Sequence, residues 1–440
     1  VRLRPPGPPT AEAVDLVPVD FCDPATFDDA WDTYAALRAL DGLHRDEPND
    51  LWVTARHEDV FAISRDPERY CSRFGVRPLI AGDMSIITLD GAEHVRQRRL
   101  INQGFTPRRV RELIPHVRQL TNEVIDQIAA KGTVDFVDEF AVHVPLIIIC
   151  EILGLDPEQR LDMYRWSDAM MAGDGHVDPD DPVLHQAAAA FGEYATMCIE
   201  LIASRRSDPA DDLISILTTA FDAGDLAKDH KAVQGISAED VQRMHEERDR
   251  ETAQLNDDEL LAFLTVLLVA GNETTRNALT GGLIALSQFP DQRQLLLDNL
   301  WDAEFMNRAA DEIVRFVSPV LGFIRTVTED HTYRNTDLRE GDRILMLYAG
   351  ANRDDRVFDQ PDQLDLTRDP NPHLGFGIGP HFCLGANLAR MEIVTVFQEL
   401  FHRLPDITVP LDVDYSRAAS SLVIGLQDIP ADYSACPVQH

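Results

Sequence analysis

The run Phe376-Gly377-Ile378-Gly379-Pro380-His381-Phe382-Cys383-Leu384-Gly385 decides how this sequence is read, and Ala386-Asn387-Leu388-Ala389-Arg390 follows it directly. Glycines on both sides of a lone cysteine let the backbone take positive φ and approach a flat group closely. The cysteine stands where a helical pattern begins. The dipole and free N–H groups of that first turn favour the thiolate, the form of cysteine that binds metal. A structural cysteine in a glycine-rich turn would need none of this company. A dinucleotide-binding loop is a poorer reading, because no strand precedes the glycines and no acidic partner follows at the right distance.

Two further segments lie upstream. Asn256–Gln288 has the pattern of one long helix, with Asn256 and Glu259 spaced as a capping box and Pro290 as the stop. Apolar residues on all sides of Leu260–Val269 predict that it is buried, over a length of roughly 50 Å. Its centre reads Ala270-Gly271-Asn272-Glu273-Thr274-Thr275. Glycine inside a helix costs about 1 kcal/mol relative to alanine, so Gly271 predicts a close approach. Thr274 can bond back to the Ala270 carbonyl and bend the helix, opening a pocket in which Glu273 and Thr274 relay protons. The second segment is Glu312-Ile313-Val314-Arg315, whose i,i+3 spacing puts both charges on one helix face.

Together and in this order, the three segments resemble the signatures of the cytochrome P450 family, and the resemblance runs from about Thr33 to Ile429. It implies a mainly α fold with a smaller β part (α+β), a triangular prism built around a long central distal helix. It implies heme b, iron protoporphyrin IX, with Cys383 as the axial ligand; thiolate ligation favours O–O cleavage. By family position, Phe376, Gly377 and Gly385 surround the haem and Ala270 and Gly271 lie over it. His94, Arg98, Arg325 and His381 meet the propionates, arginine suiting the forked carboxylate geometry. Glu312 and Arg315 form a structural ion pair, with Arg368 as third member. The substrate-pocket positions are Val76, Ile86 and Ile87 (within a stretch from Val76 to Ile87), Met170, Met171, Val269, Val320, Leu321, Ile324 and Val423. Most are apolar, so the resemblance implies insertion of one O2 oxygen into a lipophilic substrate. The string Ala270–Asn277 and the layout from Ser72 to Val110 are similar to actinobacterial enzymes that hydroxylate sterol side chains and methyl-branched lipids. Terpenoids, fatty acids and polyketides stay open.

Composition narrows the setting. Of 440 residues, 75 are acidic and 40 basic, a net charge of -35 that disfavours nucleic acid and anionic lipid. No apolar run approaches the roughly 20 residues of a membrane span, so a cytoplasmic monomer without a membrane anchor is expected. Cys22, Cys71, Cys150, Cys198 and Cys436 are scattered, and no disulfide framework is expected. His57, His143, His331 and His402 read as structural. Residues 1–20 read as a proline-rich extended arm, 21–440 as one domain, and 222–257 as a polar connection or a solvated helix. No flavin-binding segment is present, so the resemblance implies a ferredoxin and ferredoxin reductase as electron donors. A basic patch of Arg96, Arg99, Arg108, Arg109, Arg111 and Arg390 would receive the acidic ferredoxin. A peroxygenase driven by hydrogen peroxide is one alternative, disfavoured by Glu273-Thr274. A non-catalytic haem carrier or gas sensor is the other, disfavoured by the lack of an output domain.

Overall fold

The computed structural model describes residues 16, 19–78, 85–155, 159–173, 176, 178–210, 212–218, 255 and 257–435. Most of the expected arm, nearly all of 222–257, the Asn256 cap and Cys436 lie outside these residues. The helices are α1 (Trp31–Ala39), α2 (His57–Ser64), α3 (Gly91–Asn102), α4 (Pro107–Ile128), α5 (His143–Leu153), α6 (Arg160–Ala172), α7 (Pro182–Ser207), α8 (Leu213–Thr218), α9 (Asp257–Gln288), α10 (Pro290–Asp298), α11 (Ala303–Val317), α12 (Tyr348–Ala351) and α13 (Ala386–Arg403). The strands are β1 (His44–Asp46), β2 (Leu51–Thr54), β3 (Tyr70–Cys71), β4 (Thr133–Asp135), β5 (Gly322–Val327), β6 (His331–Tyr333), β7 (Thr336–Leu338), β8 (Arg343–Leu347), β9 (Ser416–Arg417), β10 (Leu426–Gln427) and β11 (Pro430–Asp432).

The main apolar core gathers around α9. Its 32 residues make a rod about 48 Å long. Neighbouring helices reach it because its small residues admit them. A Cβ at Gly281 would lie 2.5 Å from a Val317 methyl of α11, and one at Gly282 2.8 Å from the Phe397 ring of α13. A Cβ at Gly271 would lie 2.5 Å from Ile149 of α5, so the close approach predicted there is to another helix. Pro290 both stops α9 and opens α10 at its first position, where its missing N–H costs nothing.

A five-stranded sheet of order β1-β2-β8-β5-β3 stands beside the helices over a smaller second core. β2 and β8 run parallel, with Leu51 opposite Arg343, and the other neighbours are antiparallel. The composition of Ser85–Leu89, Ile407–Val409 and Leu422–Leu426 predicts a short strand in each, and the structure differs at all three. Ser85–Leu89 is no strand but a 3-10 turn at Ile86–Thr88, because the Ser85 and Thr88 side chains close a capping box on each other's backbone and take up the groups a ladder would need. Near Ile407–Val409 only the Thr408–Asp432 bridge forms, and near Leu422–Leu426 only the Val320–Val423 bridge and β10. β5 was not foreseen, although Phe323-Ile324-Arg325-Thr326-Val327 is a strand-like run.

Between α12 and α13 the 34 residues 352–385 cross the molecule with no strand or α-helix and one 3-10 turn, Gly379–His381, and a buried charge cluster holds them. Arg315 grips Glu312 through Nε (2.7 Å) and Nη2 (2.8 Å), both side chains fully buried. Its remaining N–H groups reach the carbonyls of Asn352 (2.8 Å), Pro361 (2.8 Å) and Gln363 (3.0 Å). Glu312 also accepts from Arg368 Nε, Asn371 Nδ2 and the Asp365 N–H. Glu312→Gln removes the one negative charge from between two buried guanidinium groups. It is expected to cost about 3–5 kcal/mol, against about 1 kcal/mol for Asp302→Ala, which removes only the α11 cap. The urea midpoints of the two variants, followed by circular dichroism, check the ranking.

Candidate active site

One cleft of about 1500 Å³, including its mouth, opens between α9 on one side and the 375–385 loop with the start of α13 on the other. Cys383, Phe376, Gly377, His381 and Gly385 line it from below, and Ala270, Gly271 and Thr274 from above. His94 and Arg98 of α3 and Arg325 of β5 line it as well.

The cysteine loop is held at both ends of its turn. The Cys383 N–H donates to the Phe376 carbonyl at 2.8 Å, and Arg98 donates to the Phe382 carbonyl. Gly379 takes φ +76, and a Cβ there would lie 2.5 Å from the Ser64 carbonyl oxygen, so only glycine fits. Arg390, paired with Asp311 at 2.6 Å, stacks 4.5 Å over the Phe376 ring. α13 begins at Ala386 rather than Leu384, so Cys383 sits just ahead of the helix. Burial pushes the Cys383 thiol up, and the Gly385 N–H, Arg98 and Arg390 oppose that. A bound cation would complete the deprotonation they begin.

Four cation-forming groups converge on the cleft. The His94 and His381 rings stack 4.2 Å apart, and Arg98 and Arg325 adjoin them. None of the four makes an ion pair among the described residues, and His94 Nε2 is buried without a partner. Arg325 is 4% exposed, and among the described residues its side chain bonds only the Ile324 carbonyl, at 2.8 Å. Burial, then the charges of Arg98 and Arg325, lowers the His94 pKa to about 4. Burial and the same cations hold His381 well below its usual range. A buried arginine without counter-charge is costly, and an entering dianion would satisfy all four groups.

On α9 the Thr274 hydroxyl donates to the Ala270 carbonyl at 2.8 Å, and the helix stays continuous through the bond. Glu273, its predicted relay partner, does not line the cleft. It is 3% exposed and ion-paired to Arg276 at 2.6 Å. Asn277 Nδ2 adds a 2.8 Å bond to Glu273 Oε1, while its Oδ1 accepts from Leu426 N–H.

The family model described as Cytochrome P450 matches residues 46–411. The chain belongs to the cytochrome P450 family. A "Steroid C26-monooxygenase" of Mycolicibacterium smegmatis is 32% identical over 406 residues, 92% of this chain and 93% of that protein. A "Methyl-branched lipid omega-hydroxylase" of Mycobacterium bovis is 34% identical over 400 residues, 88% of this chain and 85% of that protein. Among solved structures, the Mycobacterium marinum cytochrome P450 CYP268A2 in complex with pseudoionone superposes with TM-score 0.79 at 29% identity, covering 96% of this chain and all of that one. This P450 is therefore a haem-binding monooxygenase of mainly α fold.

The cleft fits a haem on its own terms. It is wide, mostly apolar and closed at one side by four groups that lack anions. A Cβ on Gly385 would meet no other protein atom within 4 Å, which leaves room for a flat ring. Of the pocket positions expected from sequence, Val76, Ile86, Ile87 and Val320 line the cleft, while Met170, Met171, Val269, Leu321, Ile324 and Val423 do not. Alternation along β5 explains Ile324: Phe323 and Arg325 face the cleft, and Ile324 turns to the other side. Helical period explains Val269. The lining residues of α9 are Phe263, Val266, Leu267, Ala270, Gly271, Thr274, Thr275 and Ala278, one stripe that excludes it. That stripe was readable in the sequence. Phe105, Ile149 and Glu392, brought in from other helices, were not. Leu321 and Val423 are buried around the Val320–Val423 bridge, and both methionines of α6 belong away from the cleft, Met171 buried and Met170 packed on the main core.

His94 links the haem-free protein to pH. Its folded pKa lies below that of an exposed histidine, so between pH 6.5 and about 4 the unfolded chain binds more protons. Stability is full above pH 6.5 and falls on acidification, by up to about 3 kcal/mol from this group. Urea unfolding of the haem-free protein across that window, compared with His94→Asn, is expected to show a shallower pH slope in the variant.

Proposed function

We propose that Cys383 would hold the iron of heme b through its thiolate and that the protein hydroxylates an aliphatic carbon of a lipophilic molecule, a sterol side chain or a methyl-branched lipid. The observation carrying this reading is that a lone cysteine, four unpaired cation-forming groups and the Thr274 hydroxyl share one apolar cleft. When bound, the haem supplies O2 activation with two electrons and two protons, one oxygen atom going to substrate and the other to water. His94, Arg98, Arg325 and His381 would hold its carboxylates, and Gly377 and Gly385 let the loop lie close beneath it. The Cys383 backbone N–H, bonded to the Phe376 carbonyl, fixes the residue whose sulfur would bind the haem iron. Thr274 would hold a hydroxyl where oxygen binds, its own proton committed to Ala270 and its lone pairs free to accept. Val76, Ile86, Ile87, Phe263, Val266 and Val320 exclude water and orient an alkyl chain. The names of the relatives, a steroid and a methyl-branched lipid hydroxylase, support that substrate class.

For electrons we propose a ferredoxin with its reductase. The basic patch expected for it narrows in the fold. Arg96 is ion-paired to Glu93 and Glu259, and Arg390 to Asp311. Arg109 and Arg111, and Arg108 with its exposed pairing to Glu112, stand on the first turns of α4, the helix that packs against α13 and hence on the cysteine side.

The reduced protein with carbon monoxide is expected to give a red-shifted, thiolate-type Soret band that is lost in Cys383→Ala; an unshifted band in the wild type would remove Cys383 from the role. Reversing Arg108 and Arg109 to glutamate is expected to slow reduction by ferredoxin about tenfold at low salt and to flatten its salt dependence. Turnover with peroxide alone, and none with ferredoxin and reductase, would replace this reading with a peroxygenase.

A further inference from the structure

The turn between β9 and β10 does not line the cleft, yet it holds two parts of the chain that do. β9 and β10 pair with Arg417 opposite Leu426, and residues 418–425 connect them. The tip of this turn lies against the start of β5. The Leu321 N–H donates to the Leu422 carbonyl at 2.8 Å, the Ile424 N–H donates to the Pro319 carbonyl at 3.0 Å, and Val320 bridges Val423. Pro319 and Val320 line the cleft. At the base of the turn the Leu426 N–H donates to Asn277 Oδ1 of α9, three residues beyond Thr274. The turn therefore sets the distance between α9 and the 319–320 corner.

One guanidinium organises the turn. Arg417 Nε donates to the Ile424 carbonyl at 3.2 Å, and its Nη2 to the carbonyls of Ser420 and Val423. Its Nη1 reaches outside the turn, to the Pro24 carbonyl at 2.9 Å and to Asp28 Oδ1 at 3.1 Å. The Arg417 side chain is 6% exposed. Ser420, fully buried, accepts from the Leu422 and Val423 N–H groups through its Oγ. Among the described residues, the only backbone bond inside the turn joins the Ala418 N–H to the Gly425 carbonyl. Three inward carbonyls thus share one planar, forked donor, a geometry that the compact ammonium of lysine does not reproduce. Removing the guanidinium leaves these carbonyls without their side-chain donor, and an unpaired buried carbonyl drives the turn to rearrange.

We propose that Arg417 is a positioning residue for the oxidation: by fixing the 418–425 turn it sets where Pro319 and Val320 stand, and with them which carbon of the substrate is presented for attack. The inference rests on the hydroxylase reading above. Val76, Ile86, Ile87, Phe263, Val266 and Val320 offer no polar group to hold a substrate. Apolar contact is non-directional, so an alkyl chain there is located by the shape of the walls alone. A displaced wall lets the chain slide and brings a neighbouring carbon forward. The displacement also reaches Val76, because its carbonyl accepts from the Ile324 N–H of β5 at 2.8 Å.

The test uses the haem-loaded protein, verified by its carbon monoxide spectrum, as wild type, Arg417→Met, Arg417→Lys and Ser420→Ala, with cholesterol and pristanic acid as probes. Arg417→Met is expected to change the ratio of hydroxylated positions by about threefold or more. Arg417→Lys and Ser420→Ala should move it the same way by less. Asp302→Ala, destabilised at the α11 cap, is expected to keep the wild-type ratio, which separates positioning from loss of stability. Amide hydrogen exchange at Leu321 and Ile424 is expected to rise about tenfold in Arg417→Met and to stay at the wild-type rate in Asp302→Ala. A wild-type product ratio in folded Arg417→Met overturns the proposal, as does wild-type exchange at both amides. Should Arg417→Met fail to fold, Arg417→Lys and Ser420→Ala decide by the same criteria. Failure of the wild type to oxidise either probe would instead refute the substrate reading, and the exchange rates then decide the proposal alone.

Discussion

The Glu312–Arg315 pair is the constraint on which the site depends. The chain between α12 and α13 has no ladder or helix to fix it, yet it must bring the cysteine loop under α9 to within a fraction of an ångström. A fully buried bidentate pair, with every remaining N–H given to a loop carbonyl, replaces the missing backbone bonds. Glu312 binds Arg368, Asn371 and the Asp365 N–H from the same segment, so the loop folds around one charge rather than against a surface. Such a cluster adds little net stability, since desolvation offsets most of the attraction. What it supplies is a single arrangement, because any other leaves a charge buried and unpaired.

The cleft shows the reverse case. There His94 and Arg325 are buried and Arg98 and His381 half-buried, none with an anion among the described residues, and the local cost is carried by the surrounding fold. Charge left uncompensated in one place and fully compensated a short way off separates a binding site from a brace. The same contrast divides the carboxyls. Glu273 has Arg276 and Asn277, while Glu392 has Thr275 and apolar walls. Chemistry follows from this sorting: cations left without anions would meet the acid groups of a cofactor.

Much of this was legible before any coordinates. The cysteine loop, the long helix and the Glu312–Arg315 spacing are local patterns, and local patterns survive in a linear text. Asp257–Gln288 forms a helix within a residue of expectation, because periodicity, caps and prolines act over a few residues. Short strands were less legible. Ser85–Leu89 has strand composition, but its own side chains close a turn, while β5 exists because β8 and β3 lie on either side of it.

The sequence by itself determined the family, the haem chemistry and the residues that meet within one motif, since each rests on spacing along the chain. Only the tertiary structure decided which side chains share the cleft. Val269 and Ile324 are apolar and adjacent in sequence to lining residues, yet helical rotation and strand alternation turn them away. Glu273 sits in the expected motif and is drawn off by Arg276, whereas Glu392 sits in no motif and is brought to the cleft by the crossing of α9 and α13. Direction and burial are set by packing between segments far apart in the chain, and a pattern of neighbours carries no record of them.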